Sequence, residues 1–173
     1  MHGIIQGVAP HIMNEEEWTI LRKMRLAALH ESPRAFLSSH SEEFGYEEQK
    51  WRAEFVRGEW TIEIRDDKPI AFIGVTREQG TPPGECYLEY MWVCPPFRHC
   101  GVATDLIKAV LRRLLNQGFA TIWLWVLDGN EPARRLYEKC GFTSTGLTQR
   151  PRRSPSRSEE LMRLIFRQRS HLG

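Results

Sequence analysis

Apolar residues recur along the chain at two different spacings, which predicts both helices and strands. Asn14 is followed by three glutamates and then by apolar residues at helical spacing, so we predict a helix that Asn14 caps and Pro33 ends. A second helix is predicted from about residue 42 to residue 56, and a short first strand at residues 3–8.

The rest of the pattern predicts six more strands and two more helices. The strands are expected at residues 60–64, 69–76, 87–93, 121–127, 143–148 and 160–166, and the helices at residues 102–115 and 130–140. Polar turns join some neighbouring strands directly, whereas helices separate others. Hairpins and helical crossovers together predict an α/β (α+β) fold, in which one mixed sheet carries helices on both faces.

Length and composition favour a single globular domain over residues 1–173. Of the 173 residues, 41% are hydrophobic and 27% are charged, as in ordinary soluble proteins. The net charge of +2 is too small to predict nucleic-acid binding. No apolar run reaches bilayer length and no secretory signal is visible, so we expect no membrane association and a cytoplasmic location.

The four cysteines favour reduced thiols rather than a metal site. Cys94, His99 and Cys100 lie close together in the chain, but their spacing matches no zinc pattern and a fourth ligand is not evident. No two cysteines have the C-x-x-C spacing. We therefore expect free thiols and no metal ion.

The segment at residues 93–107 has the features of an anion site. It ends a strand at two prolines, forms a short loop and enters a helix. The first turn of a helix carries unpaired N–H groups and the positive end of the helix dipole, which together bind anions. Gly101 lets a phosphate approach the backbone, Ala103 keeps the next turn narrow, and Arg98 adds positive charge at the mouth. The segment therefore predicts a pyrophosphate site.

Two segments resemble motifs of the GNAT superfamily of N-acetyltransferases. Residues 98–103 (RHCGVA) resemble its R/Q-x-x-G-x-G/A signature, and residues 130–142 (NEPARRLYEKCGF) resemble its N-x-x-A-x-x-x-Y-x-x-x-G-F helix. The resemblance covers residues 60–166, and it departs at Cys100, where many members have glycine or a basic residue. It implies the GNAT fold, with a mostly antiparallel sheet of six or seven strands and about four helices. It also implies transfer of an acetyl group from acetyl-CoA to a primary amine within a ternary complex.

The resemblance further implies which residues bind acetyl-CoA. In the family, the strand before the loop splays from its neighbour, the pantetheine arm lies in the gap, and the loop holds the pyrophosphate. The implied binding residues are Met91, Val93, Arg98, His99, Cys100, Gly101, Val102, Ala103, Thr104, Asn130 and Ala133. Met91 and Val93 would act through their backbone, and the Val93 N–H would polarise the thioester carbonyl. His99 and Cys100 are expected to be loop residues without side-chain chemistry.

Two side chains are candidates for proton transfer. Tyr137 matches the family tyrosine that protonates the departing thiolate, although its apolar helix face also suits a core tyrosine. Glu89 resembles a glutamate that activates the amine through water in polyamine-acetylating members, with Glu85 as the second choice. The alternative for Glu89 is a solvated charge on the sheet, since many members rely on water alone.

Two charged segments give opposite indications about the acceptor. Glutamates of the second predicted helix would attract a cationic amine, whereas arginines between the last two strands would suit an acidic group. The glutamates are Glu42, Glu43, Glu47 and Glu48, and the arginines are Arg150, Arg152, Arg153 and Arg157. Phe36, Phe44 and Trp51 either line an acceptor pocket or pack in the core. The acceptor stays open among small amines, amino acids, aminoglycoside-like compounds and protein amines.

Two other functions fit parts of the sequence. A non-catalytic acyl-CoA-binding sensor would keep the loop without the chemistry, against which Tyr137 and Asn130 argue. The basic segment QRPRRSPSRS at residues 149–158 would suit nucleic acid, but it lacks interleaved aromatic residues, so we expect no nucleic-acid partner. The resemblance implies a monomer or homodimer.

Overall fold

Residues 9–166 are described by a computed structural model, and they form one seven-stranded sheet with helices on both faces. The strands are β1 (His11–Ile12), β2 (Gly58–Arg65), β3 (Lys68–Thr76), β4 (Glu85–Val93), β5 (Thr121–Leu127), β6 (Thr143–Gln149) and β7 (Glu159–Ile165). The helices are α1 (Trp18–Glu31), α2 (His40–Phe44), α3 (Glu48–Arg57), α4 (Val102–Asn116) and α5 (Glu131–Lys139). The strand predicted at residues 3–8 lies outside the described residues.

The sheet has the strand order β1-β2-β3-β4-β5-β7-β6. Neighbouring strands are antiparallel except β4 and β5, which run parallel because α4 crosses over between them. This arrangement confirms the predicted mixed, mostly antiparallel sheet. Among residues 9–166, no helix combines the length and the apolar content that crossing a bilayer requires.

Polar side chains begin the helices where the sequence predicts. The Asn14 side chain accepts a hydrogen bond from the Glu16 N–H at 2.9 Å, ahead of α1. The Asn130 side chain accepts one from the Ala133 N–H at 3.3 Å, at the start of α5. Each bond satisfies a helix N–H group that has no partner within the helix. Both predicted caps are thus confirmed.

The segment after α1 departs from the prediction. The chain forms the two helices α2 and α3 instead of one helix over residues 42–56. Gly45 ends α2, and the extended backbone of Glu47, with ψ of 164°, precedes α3. An extended residue interrupts the helical hydrogen-bond ladder, and side-chain spacing alone does not reveal such a break.

Two apolar cores lie on opposite faces of the sheet. Leu106 and Val110 of α4 pack in one core, and Leu21 of α1 packs in the other. Phe72 and Ile73 are neighbours in β3 but belong to different cores, as the alternation of strand side chains requires. Burying each such side chain contributes about 1.5–3 kcal/mol of stability.

Replacing Gly58 by alanine should destabilise the fold by about 1–3 kcal/mol, as overpacking does. A Cβ atom at this position would lie 2.5 Å from the Val75 carbonyl oxygen and 2.9 Å from Thr76 Cγ2. Urea denaturation followed by circular dichroism measures the loss. Gly45→Ala is the matched control, because a Cβ there meets nothing closer than 3.6 Å and φ is −77°. Equal stability of the two variants would contradict the clash.

Candidate active site

β4 and β5 separate toward one end of the sheet. They pair over only three residues of each strand, beginning at Glu85 and Thr121. Beyond these pairs a cavity of about 830 Å³ opens, and residues 88–91 of β4 and 125–127 of β5 line it. The cavity therefore occupies the gap where two neighbouring parallel strands stop pairing.

The backbone of Val93 faces away from β3 at the end of this gap. The Cys94 N–H donates to the Ile70 carbonyl of β3 at 2.8 Å. Successive residues of a strand direct their N–H groups to opposite sides, so the Val93 N–H points away from β3. Arg98 Nε donates to the Val93 carbonyl oxygen at 2.9 Å.

A bulge in β4 brings two neighbouring side chains to one face of the sheet. The pairing of β3 with β4 shifts by one residue between Trp92 and Glu89, and Tyr90 adopts a φ of 60°. Leu88 lies in the core beside α4, whereas Tyr90 packs in the core beside α1. A regular strand would send residues 88 and 90 to the same face. Because of the shift, Glu89 and Tyr90 both face α1, and both line the cavity.

The turn between β4 and α4 presents bare backbone N–H groups. Within the described part of the chain, the N–H groups of residues 99–104 donate to no backbone carbonyl, and no side chain caps α4. Gly101 has φ of +87°, and a Cβ atom there would meet nothing closer than Asp105 Oδ2 at 3.7 Å. Buried Val102 and Thr104 hold the turn on the protein. Such an open helix start binds phosphate groups well.

Arg98 does not add free positive charge at the mouth of this turn, contrary to the prediction. Its Nη1 donates to Glu31 Oε1 at 3.0 Å, and its Nε is bound to Val93 as described above. The hydrogen bond from Arg98 is the main reason why the pKa of Glu31 falls to about 2. Arg98 thus fastens the turn to α1 and β4, and Glu31 offsets its charge. His99 and Cys100 beside it are exposed.

Helix α5 brings a tyrosine to the cavity. Asn130, Ala133 and Tyr137 all line it, and the Tyr137 ring packs edge-on against Phe142 with centroids 5.9 Å apart. Burial raises the pKa of Tyr137 to about 12, and the Cys140 thiol adds to the rise. The Tyr137 hydroxyl is therefore protonated at neutral pH.

Glu89 is a half-buried residue that lines the same cavity, and its Oε2 atom is shielded from solvent. Its Oε2 atom has no hydrogen-bond partner among residues 9–166. Burial raises the pKa of Glu89 and Glu78 raises it further, while the Arg57 guanidinium opposes the rise. Glu85, the second choice, accepts a hydrogen bond from Trp123 Nε1 at 2.6 Å and lies outside the cavity lining. The geometry favours Glu89 over Glu85.

The predicted site residues fall into two groups. Glu89, Met91, Asn130, Ala133 and Tyr137 line the cavity. Val93 and residues 98–104 lie beyond it, at the end of β4 and the start of α4. Because β4 runs from the cavity to the turn, an elongated ligand lying along this strand would meet both groups.

A comparison with known families matches most of this region. The profile described as "Acetyltransferase (GNAT) family" matches residues 25–142. This chain belongs to the GNAT acetyltransferase family. The match includes the bare turn, the gap between β4 and β5, and Tyr137. It also begins within α1, which carries little of the family's signature in its sequence.

GNAT proteins of known structure share the fold, and curated relatives share parts of the sequence. The acetyltransferase of the GNAT family from Streptococcus pneumoniae superposes with a TM-score of 0.73 over 91% of this chain and 98% of that chain, at 14% identity. Mycothiol acetyltransferase from Brachybacterium faecium is 33% identical over 86 residues, which are 49% of this chain and 26% of that protein. Thialysine N-epsilon-acetyltransferase from Mus musculus is 42% identical over 55 residues, 32% of each chain. The matches span between 24% and 55% of the lengths of the curated relatives.

In this GNAT domain, α1, α3 and the segment before α2 form the opposite wall of the cavity. Phe36 and Trp51 line it. Trp51 is also only 2% exposed, and Phe36 packs against the core beside α1, so core packing describes them as well. Phe44 is 58% exposed, stacks on His40 and lies outside the cavity lining. Arg157 of the segment between β6 and β7 donates to the Phe36 carbonyl at 3.0 Å, which ties that segment to the same wall.

The predicted acidic cluster is not a free anionic patch. Three of its four glutamates hold partners within the chain, and Glu43 is buried. The pairs are Glu43 with Arg25, Glu48 with Arg52, and Glu42 with Tyr46. These contacts leave little unpaired negative charge to attract a cationic amine from this side.

Arg25 and Tyr90 line the cavity but are not predicted as site residues from the sequence. The Arg25 guanidinium lies 4.6 Å from the centroid of the Tyr90 ring, and Trp60 stacks on the same ring with centroids 5.1 Å apart. The sequence does indicate that Arg25 points inward, because an arginine four positions after Leu21 falls on the buried face of α1. No local signal distinguishes Tyr90 from an ordinary strand residue, since the bulge depends on pairing with β3.

Proposed function

We propose that this protein transfers the acetyl group of acetyl-CoA to the nitrogen of a primary amine. The main support is that one strand, β4, joins a turn of bare N–H groups to a cavity lined by a half-buried carboxylate and a half-buried phenol. The turn suits a diphosphate, and the two side chains suit the proton transfers of an acyl transfer. Membership of the GNAT acetyltransferase family and the names of the curated relatives support the same reaction.

The residues of the chain fit acetyl-CoA as the co-substrate. The N–H groups of residues 99–104 would bind the pyrophosphate, with Gly101 leaving room for it. The backbone of Met91 and Val93 would pair with the pantetheine arm in the gap that β5 leaves. The Val93 N–H would donate to the thioester carbonyl oxygen, where negative charge develops during the transfer. Asn130 and Ala133 would contact the arm from the side of α5.

Glu89 and Tyr137 divide the proton transfers between them. An amine reaches the site mostly as ammonium, since its pKa in water is about 10.4. Glu89, directly or through a water molecule, accepts the proton that the nitrogen must lose before it forms its bond to the carbonyl carbon. As the carbon–sulfur bond breaks, Tyr137 donates a proton to the sulfur and is afterwards reprotonated from solvent. Once the carbon–nitrogen bond has formed, the nitrogen loses its second proton to water. The products are an N-acetylated amine and a free thiol, and one proton in total is released to solvent for each ammonium group acetylated.

Thiol release separates the proposed enzyme from a non-catalytic acyl-CoA sensor. Both would bind acetyl-CoA, but only the enzyme would release free thiol in proportion to an added amine. A panel of amines, amino acids and peptides followed with a thiol reagent gives the answer. Binding of acetyl-CoA without amine-dependent release from any compound in the panel would leave the sensor as the function.

Glu89→Gln should lower kcat/KM by about 100-fold and change its pH dependence. In the wild type the rate should rise with pH through the pKa of Glu89, which burial sets above the ordinary carboxyl value, because only the ionised form accepts a proton. Glutamine cannot titrate, so the rise in rate at the pKa of Glu89 should be absent from the variant. The second rise, at the pKa of the amine itself, should remain. Steady-state rates across the pH range measure both effects. If the variant kept the first rise in rate with pH, a group other than Glu89 would be its cause.

The same substitution gives an independent stability test. The pKa of Glu89 is raised in the folded protein, so the native state binds more protons than the unfolded chain between the two pKa values. Wild-type stability should therefore fall as the pH rises through this window. Glu89→Gln removes the buried charge, and its stability relative to wild type should improve above the window. Urea denaturation at acidic and neutral pH measures this difference.

Further expectations complete the proposal. We infer one domain over residues 1–173, present in the cytoplasm as a monomer or homodimer. Cys86, Cys94, Cys100 and Cys140 are free thiols in the structure. No group of three or more ligating side chains suited to a metal ion occurs among residues 9–166. Size-exclusion chromatography with light scattering tests the assembly state.

A further inference from the structure

Four of the charged side chains around the cavity form two ion pairs with one another. The charged residues that line it are Arg25, Glu43, Lys50, Glu54, Arg57, Glu78, Glu89, Arg153 and Glu159. Within the cavity wall, Arg25 bonds Glu43, Arg57 lies 3.2 Å from Glu54, and Gln149 donates to Glu159 at 2.8 Å. The Gln149 amide is neutral and does not offset the charge of Glu159, so the lining carboxylates without a cationic partner among residues 9–166 are Glu78, Glu89 and Glu159. The lining cations without a partner in the cavity wall are Lys50 and Arg153.

Two of these carboxylates, Glu78 and Glu89, belong to one side of the cavity. Glu89 lies in β4, and Glu78 follows β3, the neighbouring strand. Burial raises the pKa of Glu89 most, the Arg57 guanidinium lowers it, and Glu78 is close enough to raise it by a smaller amount. No ion pair within 4.0 Å engages either carboxylate among residues 9–166. This carboxylate side attracts the ammonium group of an acceptor.

The two remaining cations meet on the opposite side, around Glu42. Lys50 comes from α3 and lies with its Nζ 3.8 Å from the centroid of the Tyr46 ring. Arg153 comes from the segment between β6 and β7, and its Nη1 lies 3.5 Å from Glu42. The hydrogen bond from Tyr46 lowers the pKa of Glu42 most, and Arg153 and Lys50 both add to this effect. Two cations therefore act on one carboxylate, so positive charge exceeds negative charge among these three side chains.

The contact between Arg153 and Glu42 is weak enough for a ligand to compete with it. The two side chains are 60% and 45% exposed, and exposed pairs of this kind contribute little. A ligand carboxylate placed between Lys50 and Arg153 would gain two cationic partners in a partly enclosed cavity, where charge-assisted hydrogen bonds are stronger.

Resting on the proposed function, we propose that the acceptor is a primary amine that also carries a carboxylate. Its amine lies against Glu89 and Glu78, and its carboxylate lies between Lys50 and Arg153. Lys50 and Arg153 are then the residues that determine acceptor specificity. An acceptor with a second positive charge is disfavoured, because that charge would face the two cations. Free amino acids and peptides with an acidic side chain near their N-terminus both have this chemistry.

Matched acceptors test the proposal on the wild-type protein. Glycine and β-alanine are compared with ethylamine and propylamine, which replace the carboxylate by a methyl group, and with a diamine of the same length. A second comparison uses peptides with glutamate or glutamine next to the N-terminal residue. It shows whether the preferred acceptor is a free amino acid or a peptide. We expect kcat/KM to be at least about tenfold higher for the carboxylate member of the preferred pair. Equal rates, or faster reaction of the diamine, would overturn the inference.

Two variants identify the residues behind the preference. Lys50→Met combined with Arg153→Gln should remove the preference mainly through KM for the carboxylate acceptor, while the rate with the matched alkylamine stays within about twofold. Lys50→Glu combined with Arg153→Glu should reverse it in favour of the diamine. Lys23→Met combined with Arg112→Gln, at exposed residues of α1 and α4 outside the cavity, is the charge-matched control for the first of these variants. An equal loss for both acceptor types, or a loss in the control, would assign the effect to folding or to overall charge and overturn the role of the two cations.

The assay also separates this inference from the function on which it rests. Thiol release with alkylamines but without a carboxylate preference overturns the carboxylate site alone. Absence of thiol release with every amine, while acetyl-CoA still binds, overturns both. High salt should reduce the preference, because mobile ions screen charges that are partly exposed.

Discussion

Gly101→Glu should abolish measurable binding of coenzyme A. Gly101 begins α4 with φ of +87°, and the N–H groups around it have no backbone partner within residues 9–166. A glutamate side chain there would occupy the turn, and its carboxylate would bind the same N–H groups that a pyrophosphate needs. Losing two charge-assisted hydrogen bonds costs about 3–6 kcal/mol, which raises Kd by about 100-fold or more. Isothermal titration with coenzyme A measures the loss.

The matched control for this substitution is Gly80→Glu. Gly80 has φ of +88°, and a Cβ atom there meets nothing within 4 Å, so both variants bear the same backbone strain. Gly80 lies between β3 and β4, away from the turn, and its variant should bind coenzyme A as the wild type does. A folded Gly101→Glu variant with unchanged affinity would remove the turn from the proposed site.

The phosphate turn could be predicted because its signals are local. A strand that stops at two prolines, a glycine, and an amphipathic helix all lie within residues 93–107. The conformation of Gly101 and the bare N–H groups follow from that order of elements, since every helix start has unpaired donors. Asn130 could be predicted as a helix cap for the same reason, because its capping bond involves only the three residues that follow it.

The charge distribution around the site could not be predicted, because it depends on partners far away in the sequence. Arg98 pairs with Glu31, which lies 67 positions earlier. Arg157 donates to the carbonyl of Phe36, 121 positions earlier. A list of charged residues cannot show which charges neutralise each other. For the same reason, the sequence alone does not decide whether the acidic or the basic segment acts on the acceptor. The pairs in the structure show which of these charges are already offset.

The bulge at Tyr90 is the other feature that the sequence does not reveal. An alternating pattern predicts that β4 is a strand, but it does not predict where the pairing with β3 slips by one residue. Gly74 lies opposite this slip, and a Cβ atom there would come within 3.2 Å of the Tyr90 ring. The bulge decides that Glu89 and Tyr90 share one face. The placement of the candidate base is thus a property of two strands together.

Tyr137→Phe should lower kcat by about 100-fold while leaving the affinity for coenzyme A nearly unchanged. The ring and its packing against Phe142 are kept, and only the hydroxyl that would protonate the departing sulfur is lost. Since burial raises the pKa of Tyr137 to about 12, its hydroxyl stays protonated throughout the neutral range. The substitution should therefore lower the rate by the same factor at every pH in this range. The rise in rate at the pKa of Glu89 should stay at the same pH. Steady-state rates and titration with coenzyme A measure the two quantities.

The leaving group provides the sharper test of this acid role. A thiolate of low pKa departs without a proton, whereas an alkyl thiolate gains much from one. The deficit of Tyr137→Phe should therefore be large with the acetyl thioester of N-acetylcysteamine and small with phenyl thioacetate, two donors that both lack the nucleotide. A hydroxyl that only shaped the cavity would give equal deficits with both donors. Unchanged turnover with acetyl-CoA would exclude Tyr137 as the acid altogether, and a protonated amine or solvent would then have to supply the proton to sulfur.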